Sequence, residues 1–199
     1  MKTGIPRKFV DADFDLIPKS AAKDKMQVWL DSDDLRKEGV GLVLTGDNGS
    51  GKTYSGIALL KKVQKNLDIS KNLLYKVCYV EDLKALFAGD SDSLKRIGSV
   101  DSLRKVPYLL LDELGKGYST DKRFLEQNLL TLLRYRVHYC RPTLITTNCT
   151  PDDLMHIYGK SFYGLLVESC YFIEVPKIIN FRNEKKKELD QIFKDRLGQ

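Results

Sequence analysis

Eight consecutive residues, Gly46-Asp47-Asn48-Gly49-Ser50-Gly51-Lys52-Thr53, have the spacing G-x-x-x-x-G-K-[ST], the Walker A pattern, whose chemistry is phosphate binding. Glycines let the backbone curl so that successive N–H groups converge on anionic oxygens, and a helix that follows adds the positive end of its dipole. Lys52 then reaches the β- and γ-phosphates of a nucleotide, and the Thr53 hydroxyl is placed to ligate Mg²⁺. A chance glycine turn before a helix is the competing reading, but strand, loop, Lys-Thr and helix occur here in the order the chemistry needs. A second stretch, Leu109-Leu110-Leu111-Asp112-Glu113, is an apolar strand closing on two acids, the Walker B pattern. Asp112 would hold Mg²⁺, directly or through water, and Glu113 would polarise the attacking water; two solvated acids in a strand-end turn are the alternative. In Thr146-Thr147-Asn148 an asparagine closes another strand, where it would lie near the γ-phosphate, although an asparagine there is by itself more often a turn former.

These residues need strands and helices to hold them. Val40 to Thr45 is an apolar run read as a buried strand into the loop, and Tyr54 to Val63 as the helix out of it. Further strands are expected at Asn72 to Val80, Val106 to Leu111, Pro142 to Thr147 and Cys170 to Val175. Between them come helices at Glu81 to Phe87, Asp121 to His138, Pro151 to Tyr158 and Ser161 to Ser169, with a basic helical piece around Lys95 and Arg96. Continuous apolar strands alternating with helices predict an α/β fold with a three-layer parallel sheet. Upstream, residues 1 to 18 read as extended, with Phe9, Phe14, Leu16 and Ile17 as anchors, and Ser20 caps a helix from Ala21 to Leu30 that buries Met26, Trp29 and Leu30. Downstream, Leu189, Ile192, Phe193 and Leu197 have helical spacing, which predicts a docked amphipathic helix with Lys185, Lys186 and Lys187 facing water.

The chain has 199 residues, enough for one domain with a sizeable core, and its 42% hydrophobic and 30% charged residues are ordinary for a globular protein. No apolar run approaches a membrane span and the N-terminus lacks a signal-peptide core, so a cytoplasmic protein is expected. Cys78, Cys140, Cys149 and Cys170 form no C-x-x-C pair, which argues against a zinc site or a disulfide framework. Thirty-three basic against 27 acidic residues leave a net charge of +6, compatible with a nucleic-acid partner and equally with a solvated basic surface.

Together Gly46 to Thr53, the stretch Asp112-Glu113-Leu114-Gly115 and the strand Pro142 to Asn148 resemble the AAA+ ATPases of the bacterial replicative-helicase loader group, DnaC and DnaI, and their relative, the transposition helper IstB. The similarity runs from about Gly39 to Arg182. It implies a P-loop NTPase with an AAA+/RecA-like core and ATP with Mg²⁺ as cofactors. It makes Gly46, Asp47, Asn48, Gly49, Ser50, Gly51, Lys52, Thr53 and Tyr54 nucleotide contacts, Thr53 and Asp112 the metal site, and Lys52, Glu113 and Asn148 catalytic, Asn148 as sensor 1. Arg182 falls where the group carries its sensor 2 arginine, with a surface arginine as the alternative. Two departures stand out. Leu165 occupies the place of the arginine finger that acts between neighbouring subunits, with Arg134, Arg136, Arg141 and Lys160 as possible replacements, which puts the hydrolysis rate in question. The stretch ahead of Gly46 is too short for the group's helicase-binding domain, and a separate helical lid is not expected. The expected organisation is a lead-in over 1–38, an ATPase core over 39–182 and a terminal helix over 183–199.

The implied function is an ATPase in DNA replication, a helicase loader or loader-like remodelling factor that binds single-stranded DNA. Its expected partners are a replicative helicase or a host helicase loader, an ATP-dependent homo-oligomer is possible, and no membrane is involved. The resemblance also covers a transposition helper preferring duplex DNA, while Leu165 and the short N-terminus suit a slow-turnover adaptor that modulates a host helicase loader. For DNA contact Lys84, Lys95, Arg96, Arg104 and Lys105 cluster between the second and third strands, where loaders carry a DNA-facing insertion; singly, each is more often part of a solvated face. Phe87 is the one aromatic residue there suited to stacking, so binding dominated by the phosphate backbone is expected.

Overall fold

In a computed structural model the described residues are 3–67, 74–115, 122–177 and 191–196, with the side chains of 122–124 excepted. Two helices, α1 (Ala21–Asp31) and α2 (Asp33–Lys37), precede β1 (Gly41–Thr45). After it come α3 (Lys52–Asn66), β2 (Tyr75–Tyr79), α4 (Val80–Phe87), α5 (Ser91–Ile97), α6 (Val100–Lys105) and β3 (Tyr108–Leu114). The chain continues through α7 (Lys122–His138), β4 (Thr143–Thr147), α8 (Pro151–Ser169) and β5 (Cys170–Glu174). The strands form one parallel sheet in the order β2-β3-β4-β1-β5, the α/β arrangement expected from the sequence.

Period-two alternation divides the sheet between two cores. Leu42, Leu44, Val77, Leu110, Leu144 and Ile173 point to the side packed by α1 and α3. Val43, Cys78, Leu109, Leu111 and Ile145 point to the other, packed by residues of α4 to α8. The helix after β1 therefore lies on one face and the helix after β4 on the other, so the loops leaving these adjacent strands diverge. A crevice opens there beyond the strands' carboxyl ends, the position where open α/β sheets hold ligands.

The expected elements stand, with differences that have local causes. Ser32 and Ser99 accept hydrogen bonds from the backbone N–H groups of Leu35 and Ser102 and start two further short helices, α2 and α6. The two helices expected after Pro151 are both present within the span α8, parted at Gly159, whose φ of 79° and ψ of 161° are non-helical. The N-terminal stretch is not simply extended: a 3-10 turn covers Arg7–Phe9. Phe14 and Ile17 are buried as anchors, but Leu16 is 72% exposed because the Ile17 N–H turns back to the Phe14 carbonyl and leaves Leu16 at the corner. This segment lies across α3 as a strap: Lys61 Nζ donates to the carbonyls of Val10 and Ala12, and Lys62 pairs with Asp15 at 2.8 Å. Residues 191–196 are helical, yet Ile192 and Phe193 are exposed, so these two do not make the expected docking contact; Lys185 to Lys187, Leu189 and Leu197 lie outside the described residues.

Candidate functional site

At the end of β1 the chain must turn sharply between β5 and α3. Gly46 has φ 132°, and a Cβ there would stand 2.5 Å from the Val175 carbonyl oxygen, so the turn excludes any side chain. Gly51, at φ 94°, is the N-cap of α3. The loop residues thereby surround the positive end of a 15-residue helix. Lys52 is buried, and its Nζ donates to the Gly46 carbonyl at 2.8 Å and the Asp47 carbonyl at 2.7 Å, an ammonium held beneath the loop crest.

Asp112, fully buried, is the focus of the neighbouring strand end. Thr53 Oγ1 donates to its carboxylate at 2.9 Å, and Thr146 Oγ1 to the same Oδ1 at 2.5 Å. Glu113 adopts φ 64° at a break in the β3–β4 register between Leu111 and Leu114, and its N–H donates to Thr146 Oγ1 at 3.0 Å. Asn148 Nδ2 donates to Asn48 Oδ1 at 2.7 Å, so the ends of β4 and the loop meet directly. The strands thus bring Lys52, Thr53, Asp112, Glu113 and Asn148 to one crevice. Tyr79 borders it: burial first, then the charges of Asp112 and Glu113 and a hydrogen bond to Asp112, raise its phenol pKa above the ordinary range. Tyr79 belongs to no motif, and Thr146 lies in the Thr-Thr-Asn stretch read for its asparagine alone; strand register places both here.

Among the described residues no group of three or more His, Cys, Asp and Glu could hold a metal. Mg²⁺ asks for less, since it is usually held by one or two carboxylates together with substrate phosphates and water. A buried carboxylate beside a hydroxyl at the foot of a phosphate-binding loop fits that requirement, with Asp112 and Thr53 as the protein's oxygen donors. On the side of the loop away from Asp112, a cavity lies between Ile17, Pro18, Met26, Ser50, Tyr54 and Pro176. It is mostly apolar, but Ser50 Oγ, buried and without a hydrogen-bond partner, lies in its wall.

The residues nominated for DNA contact are distributed over α4, α5 and α6. Lys84, Lys95 and Lys105 pair with Glu81, Asp92 and Asp101 on their own helices at 3.0, 3.1 and 2.9 Å, and Arg96 pairs with Asp82 at 2.7 Å. The Arg104 guanidinium lies over the Tyr135 ring. Exposed pairs of this kind are weak enough for phosphates to displace. Among the arginine-finger replacements, Arg136 is fully buried, with its guanidinium spent on main-chain carbonyls, and Arg141 donates to the carbonyls of Arg104 and Lys105. Both are structural, which leaves Arg134 and Lys160 exposed. Leu165 is half-buried against the second core. Arg182 lies outside the described residues.

A five-stranded parallel sheet with this loop after its fourth-placed strand and an acid closing its neighbour's neighbour is the arrangement of a P-loop nucleotide-binding fold. Its fold is shared with solved structures of DnaC and DnaI. A crystal structure of the DnaC helicase loader matches with a TM-score of 0.70 at 22% identity, over 86% of this chain and 100% of that one. In sequence, the replicative helicase loader DnaI of Bacillus subtilis is 27% identical over 156 residues, 74% of this chain. The chain spans about half the length of that curated relative, 48%. A structure of the replication initiator DnaA bound to AMPPCP and single-stranded DNA matches with a TM-score of 0.65 at 13% identity, over 91% of this chain and 56% of that one. No family model matches the chain. Among the described residues no helix is long and apolar enough to cross a membrane.

Proposed function

We propose that this chain is an ATP–Mg²⁺-dependent ATPase that acts in DNA replication as a helicase loader or loader-like remodelling factor, with single-stranded DNA and a replicative helicase or host loader as partners. The observation that carries the reading is the convergence of Lys52, Thr53 and Asp112 in one crevice, on a fold shared with DnaC. In this reading the loop and Lys52 hold the phosphates, and Thr53 and Asp112 would hold Mg²⁺, which would supply charge neutralisation on the phosphate oxygens. Glu113 accepts a proton from the attacking water, and Asn148, released from Asn48, orients that water or the γ-phosphate. Residues 39–182 form the working core, and Arg182 adds a γ-phosphate contact.

A second reading, a slow nucleotide-gated adaptor that modulates a host loader, is favoured by one observation: Leu165, at the finger position, is committed to packing. Turnover decides between them. Lys52→Ala is expected to abolish nucleotide binding and Glu113→Gln to retain ATP while losing turnover. Steady turnover stimulated by single-stranded DNA supports the loader, and tight binding with negligible turnover supports the adaptor. Lys95→Glu/Arg96→Glu should weaken single-strand binding and reduce its salt dependence; unchanged affinity would remove those residues from the DNA surface. Glu113→Gln turning over ATP at the wild-type rate would refute the proposed base.

A further inference from the structure

We infer that Thr146 is a positioning residue for the hydrolytic site, whose single hydroxyl fixes both neighbouring acids; the inference rests on the nucleotide reading above. Thr146 is 1% exposed and stands on β4, opposite the point where β3 loses its register. The Glu113 backbone is in the left-handed region at φ 64°, which a residue with a Cβ rarely adopts. With the ladder broken there, its N–H finds a side-chain acceptor instead, Thr146 Oγ1 at 3.0 Å.

A hydroxyl has one proton to give. Thr146 gives it to Asp112 Oδ1 at 2.5 Å while it accepts from Glu113. The polarity of the chain Glu113 N–H to Thr146 to Asp112 is therefore set, with Asp112 Oδ1 as its final acceptor. The same atom orients one carboxylate toward Thr53 and fixes the backbone that aims the next. Serine can make both bonds; valine, the isostere, can make neither, and cysteine is a weak donor with a longer reach. Partners of this kind behind metal-binding groups typically change metal affinity or activity by 10- to 100-fold.

The experiment compares Thr146→Val, Thr146→Cys and Thr146→Ser with the wild type by ATP turnover, by the Mg²⁺ dependence of binding of a fluorescent ATP analogue, and by amide hydrogen exchange at Glu113 in the nucleotide-free protein. Thr146→Val is expected to lower kcat by about 10- to 100-fold with KM changed less than about threefold. It should also require a higher Mg²⁺ concentration for half-maximal binding and speed exchange at Glu113. Thr146→Ser should return all three to within about threefold of wild type. A merely structural threonine would change stability without separating kcat from KM or shifting the Mg²⁺ requirement. Should the valine protein not fold, the cysteine and serine proteins carry the comparison, and equal behaviour of those two would overturn the role of the hydroxyl. A wild-type protein that binds Mg²⁺–nucleotide, with a valine variant matching it in all readouts, overturns this inference alone; a wild type that binds none overturns the nucleotide reading and this inference together.

Discussion

Arg136 supports the strongest stability prediction, because a cation with no acid beside it among the described residues is buried completely. Its Nε donates to Thr143 Oγ1 at 2.8 Å, and its two terminal nitrogens reach the carbonyls of Leu103, Val106 and Pro142 at 2.8 Å, with longer bonds to Arg104 and Pro107. Burial, and then the charge of Arg141, pull its pKa down to about 9, still a cation at neutral pH. In Arg136→Met the three carbonyls at 2.8 Å lose their donor, at about 1–3 kcal/mol for each acceptor left dry. Removing the ion also relieves a desolvation cost of several kcal/mol, so the net loss is on the order of 3 kcal/mol. With an m-value of about 2 kcal/mol/M, the urea midpoint should fall by roughly 1.5 M. Arg136→Lys keeps the charge but has three donors on one nitrogen instead of a planar fork, and should be no more stable than the methionine protein. The contacts lie at the starts of β3 and β4, at the end of the sheet away from the loop, so nucleotide affinity per folded molecule should not change. Circular dichroism in urea measures the first effect and equilibrium nucleotide binding the second. A lysine variant within about 0.5 kcal/mol of wild type would refute the role of the fork, and a folded, equally stable variant with collapsed turnover would restore Arg136 as a finger.

Gly115 follows Leu114 at φ 93°, and a Cβ there would stand 2.1 Å from Cys149 Sγ. Gly115→Ala should cost about 1–2 kcal/mol from the backbone alone and more from the clash; Cys149→Ala in the same chain should recover only the clash, and full recovery in thermal melts would show the backbone to be unstrained. The strap over α3 should loosen in acid. The hydrogen bond from Lys62, and then the nearby lysine charges, hold the Asp15 carboxyl below its ordinary value of 3.8. A depressed carboxylate contributes stability above that value and loses it as pH falls through the lower, folded one, so Asp15→Asn should flatten the fall in stability below about pH 4. Urea midpoints at pH 5 and pH 3 that drop equally in both proteins would sink the assignment.

What was legible in the sequence depends on how far apart the cooperating atoms lie along the chain. The phosphate loop works through its own backbone and the helix that follows it, so eight residues suffice to read it. Asp112 was legible because an apolar strand ending in an acid points beyond the sheet wherever that strand sits. The left-handed turn at Glu113 was not, since it depends on which residue of β4 faces the break in β3, and register has no local signature. Nor was the strap, whose hold on α3 comes from lysines 47 to 51 residues further on.

The arginines of α7 carry a signal in their spacing. Arg134 and Arg136 are two positions apart, about 200° around a helix, so one of them must face inward if the other faces water. Leu129, Leu132 and Leu133 are buried, and Arg136 follows at the i+7 position of that stripe, the core face of an amphipathic helix. Periodicity alone therefore removes Arg136 from any role in a neighbouring subunit's site. The same geometry applies to α8, where Leu165 follows the buried Phe162 by three positions and precedes the buried Leu166 by one, on the flank of the core stripe. An arginine placed there could snorkel outward along its aliphatic stem, whereas leucine completes the packing. Of the four replacements weighed for the finger, Arg134 and Lys160 alone keep outward faces, and Arg134→Ala/Lys160→Ala separates the two proposed functions: it should abolish stimulated turnover in a loader and leave a slow adaptor unchanged.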